Sequence, residues 1–213
     1  MRQNRRLDGR RGFLRHGLFG AAGLATLYGL AGCGSRESSA ALLPPSPAAG
    51  EGEPKNIPSR AVLSTWGEAG APLVVSGRVF AADGVTPIEG VTLYVYHTDA
   101  RGYYSELDGN GQEPRPRIKG WVRTDREGRY EFQTTRPAPY PRGRNPAHIH
   151  AKAYGAGYPE QWIHEYWFED DPLVTAEMRA PFKDLGSFSP VLKVTRDAAG
   201  LIRCVRDIRL EKT

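Results

Sequence analysis

The chain has 213 residues, 29 of them basic and 24 acidic, for a formal net charge of +5. Residues 1–32 hold six arginines against one aspartate, Asp8, so the remainder balances at 23 basic and 23 acidic residues. The positive sum is therefore no argument for nucleic-acid binding, and two cysteines, Cys33 and Cys204, are too few for a disulfide framework.

The first elements in chain order are an address and a tether. Arg10-Arg11-Gly12-Phe13-Leu14-Arg15 is followed by an apolar, Gly- and Ala-rich run over 18–32, ending Leu30-Ala31-Gly32-Cys33. A charged start, a short apolar stretch and a small-residue end make an export signal. The paired arginines resemble a twin-arginine signal. That route exports folded proteins and suits a cofactor loaded beforehand. The Leu-Ala-Gly-Cys ending resembles a lipobox, which makes Cys33 the lipidated first residue of an exported protein anchored to a membrane of the cell envelope. The run is too short and too rich in glycine for a membrane span. Residues 33–60, with Pro44-Pro45-Ser46-Pro47 and Gly50-Glu51-Gly52-Glu53-Pro54, read as a flexible linker.

Residues 61–213 read as one domain. Alternating, β-branched strands are predicted over 73–80 and 91–97. Strands 120–124 and 130–134 flank Asp125-Arg126-Glu127-Gly128 as a hairpin, and 191–195 and 201–208 flank Arg196-Asp197-Ala198-Ala199-Gly200 as another. A short helix is predicted near 172–179. Many short strands separated by turns predict an all-β fold, a β-sandwich of mostly antiparallel sheets with long loops. Cys204 falls in the alternation of a late strand and reads as a buried thiol.

The most informative segment is Tyr140 followed by Asn145-Pro146-Ala147-His148-Ile149-His150. Residues i and i+2 of a strand share a face, so His148 and His150 point the same way if 148–154 is a strand. Two fixed imidazoles suit a metal, and a nearby phenol suggests a hard, oxidised one. The plainer alternative is a strand whose histidines merely share a face. Two further motifs, Asp99-Ala100-Arg101-Gly102-Tyr103-Tyr104 and Glu165-Tyr166-Trp167-Phe168, flank that segment in sequence.

Taken in order with Gly77-Arg78-Val79, Asp83-Gly84 and Pro87-Ile88-Glu89-Gly90-Val91, these pieces resemble the intradiol ring-cleavage dioxygenases, of the protocatechuate 3,4-dioxygenase pattern. The resemblance runs from about residue 72 onward. It implies a mononuclear Fe(III) held by Tyr104, Tyr140, His148 and His150. Tyr104 rather than its neighbour Tyr103 follows from the Gly-x-Tyr spacing. It also implies that Tyr140 leaves the metal when substrate binds. The reaction implied opens a catechol-type diol with O2 between its hydroxyl-bearing carbons, giving a muconate-type diacid. Homo-oligomers fit the resemblance as well.

Two positions depart from the pattern. Asn145 stands where protocatechuate-type members have an arginine, and Glu165 where the pattern has a glutamine. Both changes make the pocket less positive and put an anionic substrate in doubt. Asn145 still offers a hydrogen-bond donor, and Glu165 reads either as a catalytic base or as a partner of Arg142, Arg144 or His164. Beside the enzyme stand two other readings. One is a non-catalytic metal- or catechol-binding module. The other is a zinc site at the histidines, disfavoured by the tyrosine pair.

Overall fold

The structure, a computed structural model, describes residues 52–65, 67–104 and 116–212. The export signal, Cys33 and most of the linker lie outside the described residues. Two sheets form a β-sandwich. Sheet I has the order β1 (Arg60–Val62), β5 (Arg129–Thr135), β2 (Pro72–Phe80), β10 (Ile202–Val205), β9 (Thr195–Arg196), with β11 (Ile208–Arg209) also paired to β2. Sheet II has the order β4 (Ile118–Arg123), β3 (Thr92–His97), β6 (His148–Gly155), β7 (Tyr158–Phe168), β8 (Val191–Leu192). Among the described residues there is one α-helix, α1 (Ala176–Arg179), which starts at Thr175, whose hydroxyl accepts from the Met178 amide. No helix among the described residues is long and apolar enough to cross a membrane.

Alternation builds the core between the sheets. Leu73, Val75 and Val79 of β2 and Phe132 of β5 meet Leu93 and Val95 of β3, Ile149, Ala151 and Ala153 of β6, and Ile163, Tyr166 and Phe168 of β7. All are buried, and this burial is the main favourable term in folding. Cys204 belongs to the same core, and burial pushes its thiol up to about 12.

Three features differ from the sequence expectation. The turn at 125–128 is present, with the Gly128 amide donating to the Asp125 carbonyl, but it joins β4 of sheet II to β5 of sheet I rather than closing a hairpin. β4 pairs with β3, and β5 with β2 and β1. The run 191–195 is divided, with β8 in sheet II and β9 in sheet I, while β9 and β10 pair antiparallel in the expected hairpin around 196–200. Alternation records which face is buried, and both sheets bury a face alike, so it does not say which sheet a strand joins. Four pairings are parallel, β1–β5, β2–β10, β2–β11 and β7–β8, as chain segments distant in sequence return to a sheet edge or to β2. The chain is also packed before residue 60. The Glu53 carboxylate accepts from Arg123 (2.8 Å) and from the Tyr154 hydroxyl (2.7 Å), and the Pro58 and Ser59 carbonyls accept from the Arg123 and Glu131 amides.

His97 ends β3 on the core side and ties the sheets together. Its Nδ1 donates to the Thr98 carbonyl (2.6 Å), leaving Nε2 to accept from the Thr134 hydroxyl of β5 (2.7 Å). Burial lowers its pKa from 6.5 to about 4. An unfolded histidine takes its proton near 6.5 and the native one only near 4, so the unfolded state binds more protons in between. Stability should therefore fall as pH drops through that window, by up to about 3 kcal/mol. Urea midpoints at pH 7 and pH 4.5 should drop further in the wild type than in His97→Gln. Equal drops would clear His97 of the effect.

Candidate metal centre

The outer face of sheet II carries the site. On β6 the inward residues are Ile149, Ala151 and Ala153, which leaves His148, His150 and Lys152 on the opposite face. That face is buried too, because Tyr94 and Tyr96 of β3 and Tyr104 pack there as a second cluster. Tyr96 stands opposite His150 in the β3–β6 register and stacks on its ring at 4.8 Å and 22°.

Two loops deliver the phenols. Loop 98–104 turns on Asp99, whose carboxylate accepts from the Arg101 and Tyr103 amides (2.8 and 3.0 Å). It is pinned to the Tyr140 segment by the Thr98 hydroxyl donating to the Ala138 carbonyl (2.8 Å) and by the Ala138 amide donating to the Asp99 carbonyl (3.1 Å). Gly102, at φ +88°, lets the loop lie against the Pro139 carbonyl. Beyond the other loop, the Ala147 amide donates to Asp171 (2.8 Å), fixing the entry to β6.

The result is four donor atoms around one point. Tyr104 Oη lies 2.5 Å from Tyr140 Oη and 2.9 Å from His150 Nε2. His148 Nε2 lies 3.2 Å from Tyr140 Oη and 3.1 Å from His150 Nε2. Tyr140 Oη and His150 Nε2 are 3.4 Å apart. Ligands held at about 2.0–2.2 Å from one ion lie roughly 3 Å from one another, so this spacing is that of a chelating set. The His148 Nδ1 donates to the Pro146 carbonyl (2.7 Å), which leaves the Nε2 lone pair for a cation. Burial, reinforced by His148 and His97, lowers the His150 pKa to about 3 and keeps its ring neutral.

The two phenols are held in their neutral form by the protein alone. Burial, and then the hydrogen bond with Tyr140, push the Tyr104 hydroxyl far above its ordinary value, and burial raises Tyr140 as well. A highly charged cation held between them would favour the phenolate form of both. Two imidazoles and two potential phenolates are thus a donor set that fits ferric iron.

Each predicted residue has a definite place. Tyr104, Tyr140, His148 and His150 meet in the cluster. Tyr103 is 45% exposed beside Arg101 and is not in the cluster. Asn145 is exposed on the loop between Tyr140 and His148, and its side chain is not among the four donors. Glu165 Oε1 lies 3.4 Å from His150 Nδ1, and Oε2 accepts from the Trp167 indole (3.2 Å). Its partners are thus His150 and Trp167, not Arg142 or Arg144. His148, His150 and Glu165 form a potential metal-holding group with ligand atoms within 4.8 Å, but the carboxylate faces the His150 nitrogen outside the cluster. Tyr166 is a core residue, whereas Trp162 is 52% exposed and 6.5 Å from the His150 ring.

The sequence reading missed β7 as a strand and Tyr96 as the ring behind His150. A signal existed for both: Tyr94 and Tyr96 alternate with core residues, and the aromatic run 158–168 is strand-like despite Pro159.

A family model described as Dioxygenase matches residues 54–185. The chain is 30% identical over 138 residues to the protocatechuate 3,4-dioxygenase beta chain of Burkholderia cepacia, covering 61% of this chain and 53% of that one. It is 28% identical over 123 residues to catechol 1,2-dioxygenase 1 of Acinetobacter lwoffii, covering 50% and 39%. The chain thus spans about half the length of the curated relatives it matches. Among solved structures, the dioxygenase domain of a dioxygenase carbohydrate-binding protein fusion from Streptomyces sp. SirexAA-E superposes with a TM-score of 0.55 at 26% identity, over 80% of this chain and 99% of that one. The 3-chlorocatechol 1,2-dioxygenase of Rhodococcus opacus 1CP shares the fold with a TM-score of 0.60 at 22% identity, over 79% and 70%. With the family match spanning most of the described sandwich and the relatives agreeing, this chain belongs to the dioxygenase family of the intradiol type.

Proposed function

We propose that the protein is a non-haem iron(III) dioxygenase that opens a catechol-type ring between its two hydroxyl-bearing carbons, with O2, to a muconate-type diacid. The observation that carries this reading is the convergence of Tyr104, Tyr140, His148 and His150 on one point. These four residues would hold the metal. Bound ferric iron supplies Lewis acidity and a template for two vicinal oxygens.

The chain's own residues do the rest. His148 and His150 are fixed by strand β6, and His148 is locked in one tautomer by Pro146. Tyr104 is held by the Asp99 turn. Tyr140 comes from a loop with exposed residues after it, and its Oη is the donor best placed to leave the cluster and accept a proton from an incoming diol. Asn145 and Glu165 bring no positive charge, which favours an uncharged catechol or hydroxyquinol-like diol over a carboxylated one. Trp162 beside His150 offers an aromatic wall.

The substrates in this reading are the diol and O2, with no role for nucleic acid. The export signal and the lipid on Cys33 would place the domain in the cell envelope, on a membrane-anchored linker. A second reading, a binding module without turnover, is favoured by the exposed Asn145 in place of an arginine.

Tyr140→Phe tests the donor set. It should keep iron but lose on the order of half of the tyrosinate-to-Fe(III) absorption, because one of two phenolate donors is gone. Unchanged absorption would remove Tyr140 from the donor set.

A further inference from the structure

Strand β7 does not alternate at the site. Ile163 and Tyr166 both face the core, three residues apart, so His164 and Glu165 both fall on the outer side. The register shows why. Ile149 pairs with Tyr166 and Ala151 with Ile163, so the single residue His150 stands opposite two, a β-bulge like the one further along the same strand pair between Ala153 and Gly155. A bulge sacrifices regular ladder bonding, and here it keeps both Ile163 and Tyr166 in the core while turning the two residues between them outward. Its effect is to set the Glu165 carboxylate beside the ring nitrogen of His150 that the donor cluster does not use, at 3.4 Å. The Trp167 indole, donating to the other carboxylate oxygen, steadies it from behind.

From this arrangement we infer that Glu165 is a positioning and tuning residue that acts on the metal through His150, rather than a base that touches substrate. The inference rests on the ferric reading above. A carboxylate next to the Nδ1–H of a metal-bound imidazole orients the ring and makes its Nε2 a stronger donor. A stronger donor lowers the Lewis acidity of the ferric ion. That stabilises iron(III) over iron(II) and moves the phenolate-to-metal absorption to shorter wavelength. An uncharged amide at this position would do so less. Glu165 thereby offsets acidity the metal would otherwise have, in a pocket where Asn145 supplies no positive charge.

The test uses iron-loaded wild type, Glu165→Gln and Glu165→Asp, comparing the visible absorption maximum, the Fe(III)/Fe(II) reduction potential and the iron affinity. Glu165→Gln should shift the band to longer wavelength, raise the potential and weaken iron(III) binding roughly 10–100-fold. Glu165→Asp, which keeps the charge, should return the band and potential toward wild type. An iron-loaded Glu165→Gln with wild-type band and potential would overturn the inference while leaving the ferric site intact. Complete loss of iron would also overturn it, by making Glu165 a direct ligand. A wild type that binds iron without any phenolate band would instead defeat the ferric reading, and this inference with it.

Discussion

His150→Ala is expected to lose nearly all bound iron while keeping the fold. His150 Nε2 is in contact with all three other donors, Tyr104, Tyr140 and His148, so its removal opens the cluster at its centre. Removing a residue that merely supports a ligand weakens metal binding by roughly 10–100-fold, and loss of the ligand itself should exceed that. The ring also stacks on Tyr96, so alanine leaves a gap on the outer face of sheet II. The sandwich core lies on the other face of β6 and stays filled by Ile149 and Ala151. Iron per protein after exhaustive dialysis, together with a far-ultraviolet spectrum, checks both halves. A folded variant with full iron would sink the four-donor site.

Gly102→Ala should do comparable damage without touching any donor. At φ +88° a side chain is strained by roughly 1–2 kcal/mol. An added Cβ would also lie 2.1 Å from the Pro139 carbonyl oxygen and 3.0 Å from Pro141 Cδ. Backbone, not a flexible side-chain tip, must give way. The loop bearing Tyr104 and the segment bearing Tyr140 are pressed together at this point, so the two hydroxyls, now 2.5 Å apart, should separate. A stability loss of about 2–4 kcal/mol is expected, with phenolate absorption per iron falling by more than in Tyr140→Phe. Unchanged stability and absorption would show that the loops do not depend on this approach.

Much of the site was legible because it is local. His148 and His150 share a face by strand period alone, and Tyr140 lies eight residues from His148. The pairing of Tyr104 with Tyr140 was not legible from spacing. It depends on loop 98–104 meeting 138–141 through Thr98, Asp99 and Gly102, contacts that sequence separation hides; only the family resemblance joined them. The neighbours of Glu165, His150 and Trp167, were not legible for a similar reason. The His150 contact is fixed by a one-residue slip in register between β6 and β7, and a regular alternation would have given Glu165 another neighbour. The fold class followed from strand period and turns. The assignment of β4 and β5 to different sheets did not, because a tight turn at 125–128 serves a hairpin and a crossing between sheets equally well.

The most direct measurement is a visible spectrum of the domain from residue 52 onward, with iron quantified, before and after catechol is added under air. A ferric catechol dioxygenase should show a tyrosinate-to-Fe(III) band at about one iron per chain that shifts on adding catechol and then returns as a ring-opened diacid forms. A protein that stays colourless after iron reconstitution would contradict that assignment, and so would a band that shifts with catechol and never decays.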